Sequence, residues 1–291
     1  MRVLVLTILL LAPNLSSAAS LKPINLSPDY NHDKYVTLPK DIVFAFRAYL
    51  SSFDSDGNGV SEPWGIPDFV AYEIKEYRGR QPKGPDRPSP WIHDQHLVDW
   101  GLMPTDATYA YSRAFRQANP DWYVRGHLAM KQHAWRLGAE ADWNTHTMMN
   151  AVPQRNNFNK GIWLDLEIKT ANWADKYGTV WIVDGPIMLN GRPRDWIGEP
   201  SKNEIQAAVP DALFKIVIKE SDNELQPDVL AFIYPQDDDG YGRKPYNHTQ
   251  YLVSVDEIEG LTGLDFLTIL PDDDEAFVED QVAEELWDQG R

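Results

Sequence analysis

The sequence predicts an α+β protein, because β-rich runs and helical runs are interspersed without the regular spacing of βαβ units. Hydrophobic residues make up 43% of the 291 residues, which is ample for a core. No internal repeat is visible, so neither a solenoid nor a propeller is expected. Cysteine is absent, which excludes disulfide scaffolds, thiol nucleophiles and cysteine-ligated zinc.

The individual elements follow from local patterns. Helical patterns predict four helices, over residues 41–53, 106–117, 158–177 and 255–262. Runs rich in β-branched and aromatic residues predict five strands, over residues 69–75, 121–127, 179–183, 214–220 and 229–234. The Pro- and Gly-rich residues 79–90 are expected to form a loop, and Asp184-Gly-Pro186 is expected to stop the strand before it. Gly263 is expected to cap the last helix.

The N-terminus predicts an export signal over residues 1–19. Arg2 precedes an apolar run at residues 3–12 that is too short to span a bilayer, and small residues follow it. Cleavage is therefore expected after Ala18 or Ala19. The alternative is an uncleaved membrane anchor. No later segment is apolar enough to cross a membrane, so we expect a secreted or periplasmic mature protein that does not contact a membrane.

Charge is distributed unevenly along the chain. The 27 Lys and Arg residues against 44 Asp and Glu residues give a net charge of −17, which argues against bulk attraction to nucleic acid. Residues 271–291 account for −8 of this charge and are expected to form a solvated, flexible tail. Residues 113–169 instead carry a net charge of +3, together with three histidines. A polyanion could therefore bind at this central stretch.

Two segments of the central stretch carry candidate chemistry. In YVRGHL, Gly126 precedes His127 at the end of a predicted strand, where a neutral imidazole could act as a general base. A surface or core histidine is the alternative. Further on, the Asn159 amide oxygen suits Mg²⁺, but on a regular helix Glu167 would lie about 80° and ~12 Å away. Glu167 could then reach only a metal-bound water, and a capped amphipathic helix is the alternative.

Together these segments resemble the DNA/RNA non-specific endonuclease family of ββα-metal (His-Me finger) nucleases, which includes endonuclease G. The family pattern runs Asp-Arg-Gly-His, Asn-x-x-Pro-Gln, Asn-x-Gly-x-Trp and Leu-Glu, which VRGHLA and NAVPQRNNFNKGIWLDLE follow in order. Further family segments are similar to IPDFVAYEI at 66–74, VWIVDGPI at 180–187 and VDEIEGLTGLDFLTILPDD at 255–273. The resemblance spans roughly residues 65–273.

The resemblance implies a fold, an activity and a set of residue roles. The fold would be a central, mainly antiparallel sheet flanked by helices, and the activity an Mg²⁺-dependent cleavage of DNA and RNA to 5′-phosphate products, with Mn²⁺ as a substitute. His127 matches the general base, Asn159 the single protein ligand of the metal, and Glu167 the acid that holds the metal's water shell. The remaining matches are the supporting Asn150 and Gln154, the motif arginine Arg125 and the phosphate-contacting Arg87.

This chain departs from the family pattern at two positions. Val124 stands where the motif begins with Asp, which removes a carboxylate that would order the site. Ala171 stands four residues after Glu167, where the family often has Arg. A catalytically weak nucleic-acid-binding protein on the same fold is therefore an alternative function.

The resemblance also divides the chain into segments. Residues 1–19 are the signal peptide, 20–64 a lead-in with a helix and an Asp-rich loop, 65–273 the endonuclease domain and 274–291 the acidic tail. The loop matches the first nine positions of an EF-hand but has Gly65 where the bidentate Glu should stand. A structural Ca²⁺ site and an ion-free turn are equally supported, the candidate ligands being Asp54, Asp56, Asn58 and Glu62.

Three further interpretations remain open from the sequence. The loop and the 11 Trp residues would also suit a Ca²⁺-stabilised carbohydrate-active protein, although Trp163 and Trp181 are expected in the core. His93 and His96 could form a transition-metal pair, but we expect surface histidines. A homodimer and an inhibitor protein are partners that the sequence neither supports nor excludes.

Overall fold

A computed structural model describes residues 20–22, 27–38, 42–53, 63–79, 87–111, 113–119, 121–223, 225–236 and 241–288. The strands are β1 Ile42–Ala45, β2 Leu50–Phe53, β3 Pro67–Lys75, β4 Tyr123–His127, β5 Ala151–Arg155, β6 Thr179–Ile187, β7 Asp195–Ile197, β8 Ala207–Val209, β9 Ala212–Lys219, β10 Asp228–Pro235 and β11 Leu252–Val253. The α-helices are α1 Gln95–Asp99, α2 Arg113–Ala118, α3 Lys131–Ala134, α4 Ala139–Trp143, α5 Asn156–Phe158, α6 Leu164–Tyr177, α7 Val255–Thr262 and α8 Asp272–Glu279.

A seven-stranded sheet with the order β1-β2-β3-β6-β9-β10-β11 forms the centre of the fold. All of its neighbouring strands pair antiparallel. Two small antiparallel pairs, β4–β5 and β7–β8, lie outside it. The α+β prediction is therefore confirmed. The central strands β3 and β6 are neighbours in the sheet, and the whole chain from residue 76 to residue 178 lies between them.

Each face of the large sheet covers a separate hydrophobic core. Alternate side chains such as Tyr72 and Ile182 point to one face, where α6 packs through Leu166 and Trp173. The other alternate set, including Val183, points to the opposite face, which α7 and α8 cover. The β4–β5 pair contributes to the first core only. Features on the α6 face and on the α7–α8 face are therefore separated by the sheet.

The prediction of a helix over residues 41–53 was wrong. β1 and β2 form an antiparallel hairpin there, with Ile42 opposite Phe53, and β2 extends the sheet beside β3. Apolar residues at helical spacing also suit two short strands joined by a turn, and the pairing with β3 favours the strands. The segment 106–117 likewise does not form one helix, because a 3₁₀ turn at Asp106–Tyr109 precedes α2.

The strand predicted to stop at residue 183 continues through Asp184-Gly-Pro186 to Ile187 as β6. A Cβ on Gly185 would lie 2.5 Å from the Asp68 carbonyl oxygen and 2.5 Å from a Phe214 ring carbon. Glycine is therefore required here for close packing between strands rather than for a turn. The other predicted strands are present as β3, β4, β9 and β10, and α7 ends at Gly263, which adopts a left-handed φ of 72°.

The acidic C-terminal segment is part of the folded body. α8 occupies its first turns, and Val278 is buried against the second core. Further on, the indole Nε1 of Trp173 in α6 donates a 2.9 Å hydrogen bond to the Trp287 carbonyl oxygen. Lys176 forms a 2.7 Å ion pair with Asp288. The segment therefore packs onto the folded body, which corrects the expectation of a flexible tail, while acids such as Asp272, Asp280 and Glu284 are exposed to solvent as expected.

Among the described residues, no helix is long and apolar enough to cross a membrane. The export signal at residues 1–19 and the Asp-rich loop at residues 54–62 lie outside the described residues.

Candidate active site

Two antiparallel strands and the helix that follows them frame the candidate site. β4 pairs with β5 so that Gly126 lies opposite Val152 and His127, the last residue of β4, lies opposite Ala151. β5 runs directly into the helical segment that ends with α6. This ββα unit borders a cavity of about 690 Å³. The predicted catalytic and metal-binding residues that line the cavity are Arg87, Arg125, His127, Asn159 and Glu167.

The helix after β5 is irregular between Asn159 and Glu167. Residues Asn159–Trp163 form a π-helical turn, and Gly161 has non-helical backbone angles of φ −97° and ψ −112°. The separation expected on a regular helix therefore does not apply, and both side chains face the same cavity. A Cβ on Gly161 would lie 3.1 Å from the Tyr246 hydroxyl, which shows how closely this turn is packed.

Gln154 holds the Asn159 side chain in place. The Asn159 amide nitrogen Nδ2 donates a 2.6 Å hydrogen bond to Gln154 Oε1, and Gln154 is fully buried. Gln154 packs directly over Gly126, because a Cβ added there would lie 2.1 Å from Gln154 Cδ. The glycine of the motif therefore makes room for the side chain that orients Asn159.

Replacing Gly126 by alanine should displace Gln154, which has no exposed surface toward which it could move. We expect the free energy of unfolding to fall by about 1–3 kcal/mol and any activity that depends on Asn159 to fall at least 10-fold. Thermal unfolding and plasmid cleavage measure the two effects. Gly260→Ala is the matched control, because a Cβ there meets nothing within 4 Å. A Gly126→Ala protein as active as this control would contradict the packing role.

The Asn150 side chain connects two parts of the segment between β4 and β5. Its side-chain Oδ1 accepts from the Ala129 amide at 2.7 Å, and its Nδ2 donates to the carbonyl oxygens of Ala129 and Thr145. All three bonds are buried. Asn150 therefore fixes the backbone that leaves His127.

Arg125 has an acidic partner that the motif did not indicate. Its guanidinium forms an ion pair with Asp106 and lies over the Trp91 ring, 5.1 Å from the ring centroid. Asp106 also accepts from the Trp91 backbone amide at 3.2 Å. Val124, the departure from the family motif, lines the same cavity. Asp106 therefore supplies a carboxylate beside Arg125 from a different part of the chain.

The cavity is strongly cationic for an acidic protein. Arg87, Arg125, Lys131 and Lys160 line it, and among the described lining residues only Glu167 carries a carboxyl group. This agrees with the net positive charge of residues 113–169. A phosphate backbone would meet a favourable potential here despite the overall charge of −17.

His127 is held as a neutral imidazole. Burial lowers its pKa well below the ordinary value of 6.5, and its electrostatic interactions with His146, Arg87, Lys131 and Arg125 lower it further. Its Nε2 is buried and accepts no hydrogen bond from a described group. The His127 and His146 rings meet edge to face, with centroids 5.1 Å apart. A neutral imidazole that lines the cavity is suited to take a proton from water.

Because the His127 pKa is lowered, its basic form persists to a lower pH than that of an ordinary histidine. We expect the acid limb of the pH–rate profile to have its midpoint below pH 6.5. An NMR titration of the imidazole signals should place the protonation of His127 at the same pH, with the exposed His96 as an internal reference. A midpoint above pH 6.5 in either experiment would contradict this electrostatic environment.

Glu167 lies at the base of the cavity and is 6% exposed. Burial raises its pKa, Lys215 lowers it and the buried Asp184 raises it, so that the pKa lies at about 8. Lys215 and Asp184 form a fully buried ion pair of 2.6 Å behind Glu167. A positive charge placed beside Glu167 would therefore favour its ionised form.

The donor atoms of the site suit a hard divalent cation. Asn159 uses its amide nitrogen for the bond to Gln154, and no described group donates to its carbonyl oxygen Oδ1. Glu167 adds carboxyl oxygens on the same cavity. The site can therefore coordinate a cation through oxygen atoms, without a sulfur or nitrogen ligand. A single amide oxygen with room for several waters matches the preference of Mg²⁺.

The comparison with protein families decides what kind of protein carries this site. Residues 51–273 match the family model described as DNA/RNA non-specific endonuclease. The chain belongs to this family. The predicted resemblance over residues 65–273 is therefore confirmed, and the carbohydrate-active alternative loses its support.

Individual relatives agree with the family. The chain is 28% identical to a nuclease of Serratia marcescens over 72% of its own length and 71% of that protein. It is 26% identical to mitochondrial nuclease 1 of Schizosaccharomyces pombe, covering 77% of this chain and 66% of that protein. It spans less than half the length of the animal EXOG mitochondrial nucleases that it matches, such as the human protein at 29% identity over 50% of this chain and 39% of that protein.

A solved structure supports the fold of this chain. A chain of the EndoG/EndoGI complex aligns with a TM-score of 0.59 and 20% sequence identity, covering 81% of this chain and 89% of that chain. At this sequence identity the similarity shows a shared fold alone.

Two predicted features lie away from the endonuclease cavity. His96 is exposed on α1 and His93 is half-buried before it, and neither lines the cavity. Trp163 and Trp181 are buried, as predicted for the core. The sequence did not indicate His146, whose buried ring contacts both His127 and Trp91.

Proposed function

We propose that the protein is an exported, Mg²⁺-dependent, sugar-non-specific endonuclease that hydrolyses DNA and RNA to 5′-phosphate products. The observation that carries the proposal is that one cationic cavity brings together His127, Asn159 and Glu167. These residues were singled out by motif order alone, and the irregular helix after β5 is what allows two of them to share the cavity.

The residues divide the chemistry of phosphodiester hydrolysis between them. His127, held neutral beside the cavity, takes a proton from the attacking water. Arg125 and Arg87 contact the phosphate and offset its negative charge. Asn159 and Glu167 would hold Mg²⁺, directly and through water respectively, and the ion would stabilise the charge that develops on the phosphate oxygens. Contacts to phosphate rather than to base edges allow both DNA and RNA as substrates.

Export is proposed from the sequence of residues 1–19. Several relatives are named mitochondrial nucleases, which is a different location from the one proposed for this chain. Fractionation of cells that express the full chain, with detection of the mature N-terminus by mass spectrometry, tests this part of the proposal. A chain recovered with residues 1–19 intact would contradict it.

Cleavage of supercoiled plasmid and of RNA by the purified chain, with Mg²⁺ or with EDTA, tests the activity. We expect both substrates to be cut with Mg²⁺ or Mn²⁺ and neither with EDTA, and 5′-phosphate ends on the products. If a folded protein binds DNA without cutting it under any divalent ion, the alternative of a catalytically weak binding protein, which Val124 favours, replaces the endonuclease proposal.

Substitution of Asn159 tests the metal ligand. Asn159→Ala should lower cleavage on the order of 100-fold and raise the Mg²⁺ concentration needed for half-maximal activity, because the carbonyl oxygen is lost. Asn159→Asp keeps an oxygen at the position and should retain more activity than the alanine variant. An alanine variant with full activity at the usual Mg²⁺ concentration would exclude Asn159 as the ligand.

A further inference from the structure

A second group of oxygen donors lies on the face of the sheet opposite the endonuclease cavity. Asp256 and Glu259 are one turn apart on α7, and Glu279 is the last residue of α8. One carboxylate oxygen from each of the three lies within 4.8 Å of the other two. Helices from two different parts of the sequence thus bring three carboxylates to one point.

Glu279 is the unusual member of this group. Its side chain is only 7% exposed, and its Oε1 is buried without a hydrogen-bond partner among the described residues. A buried carboxylate oxygen with no partner is costly, because desolvation is not offset by any bond. One oxygen of this carboxylate belongs to the group, and no described donor bonds Oε1, so the described residues leave this cost uncompensated.

Glu259 is fixed in place by the backbone. Its Oε1 accepts a 2.7 Å hydrogen bond from the Phe266 amide, which holds the side chain at the end of α7. Asp256 is exposed and connects the group to solvent. The three residues therefore present one buried, one anchored and one exposed carboxylate.

The surroundings add further negative charge. The charged groups that act on Glu259 and Glu279 are Asp256, Asp265, Glu275 and each other, and no described base is among them. Burial and these neighbouring carboxylates raise the pKa of Glu259 to about 7 and that of Glu279 to about 8. A bound cation would offset the repulsion directly.

We propose that Asp256, Glu259 and Glu279 form a structural Ca²⁺ site that fastens α8 to α7. Carboxylate oxygens are the ligands that Ca²⁺ prefers, and water can complete its coordination on the exposed side of Asp256. Opposed ligands lie up to about 5 Å apart around Ca²⁺ but only about 4 Å apart around Mg²⁺. A group of oxygens spread over up to 4.8 Å therefore accommodates the larger ion.

Thermal unfolding of the EDTA-treated full chain, titrated with CaCl₂, tests the site without reference to nuclease activity. We expect Ca²⁺ in hundredfold excess over its Kd to raise the Tm by roughly 5 °C. Glu279→Gln and Asp256→Asn should each remove this shift. Because Asp256 is exposed, the Asp256→Asn variant still provides the test if Glu279→Gln does not fold. Glu257→Gln, an exposed acid on the same helix and outside the group, should retain the shift.

The Asp-rich loop at residues 54–62 requires its own control, because it is a separate Ca²⁺ candidate. The Asp54→Asn/Asp56→Asn variant should keep the α7–α8 response. The proposal is overturned if 10 mM Ca²⁺ leaves the Tm of the wild-type chain unchanged, if Glu279→Gln and Asp256→Asn respond like the wild type, or if the loop variant alone loses the response.

Discussion

Replacing His127 by alanine should lower the rate of DNA and RNA cleavage on the order of 1000-fold, the typical contribution of a well-placed general base. No described group on the cavity is positioned to replace it, since the neighbouring His146 is 1% exposed and does not line the cavity. The free energy of unfolding should change by only about 1 kcal/mol, because the half-buried ring makes no hydrogen bond through Nε2. Single-turnover cleavage of plasmid and thermal unfolding measure the two quantities.

His96→Ala is the matched control for this variant, because it removes an exposed imidazole from α1. It should leave both cleavage and stability close to the wild-type values. A His127→Ala enzyme that retains more than a tenth of the wild-type rate would refute the general-base role. Partial recovery of the alanine variant by added imidazole would strengthen it.

Replacing Lys215 by methionine should lower the free energy of unfolding by about 3–5 kcal/mol. Lys215 and Asp184 are both fully buried, and the methionine would leave Asp184 as an isolated buried charge. The Tyr72 hydroxyl, 3.3 Å from Asp184 Oδ2, is the only other described side chain that bonds that oxygen. Urea unfolding at pH 7 measures the loss, and methionine nearly preserves the shape of the side chain it replaces.

A double-mutant cycle separates the pair from the packing around it. Asp184→Leu alone should also destabilise the protein, because it leaves a buried ammonium group over the Trp163 ring. The combination of Lys215→Met and Asp184→Leu should recover most of the loss, since an apolar pair carries no desolvation cost. Losses that simply add would show that Lys215 and Asp184 do not interact in the folded protein.

Much of the fold was predictable where local patterns agree with the tertiary pairing. α7 runs over the residues that its apolar spacing indicates, because Ser254 caps its start and Gly263 its end. β9 and β10 were predicted because both segments are rich in β-branched and aromatic residues. The hairpin at residues 42–53 was not predictable, because its strands are fixed by pairing with β3 and not by their own spacing.

In the candidate site, too, some features were predictable from the sequence and others depend on tertiary contacts. Motif order identified His127, Asn159 and Glu167, and all three line one cavity. The spacing argument separated Asn159 from Glu167 because it assumed a regular helix, which Gly161 interrupts. Asp106 was missed because it lies 19 residues before Arg125 and in no motif. The carboxylate that Asp106 places beside Arg125 can be recognised only from the three-dimensional contact.

The candidate site lies in the chain segment that connects β3 to β6, and this has a consequence for how the protein folds. β9 and β10 are joined by a short connection and can pair early, whereas β3 and β6 must close a loop of roughly 100 residues. We therefore expect the sheet to grow outward from β9 and β10, with the β3–β6 closure late and rate-limiting. His127, Asn159 and Glu167 all lie within that loop. With the proposed activity, the newly made chain would then be unable to cleave nucleic acid until its slowest folding step is complete.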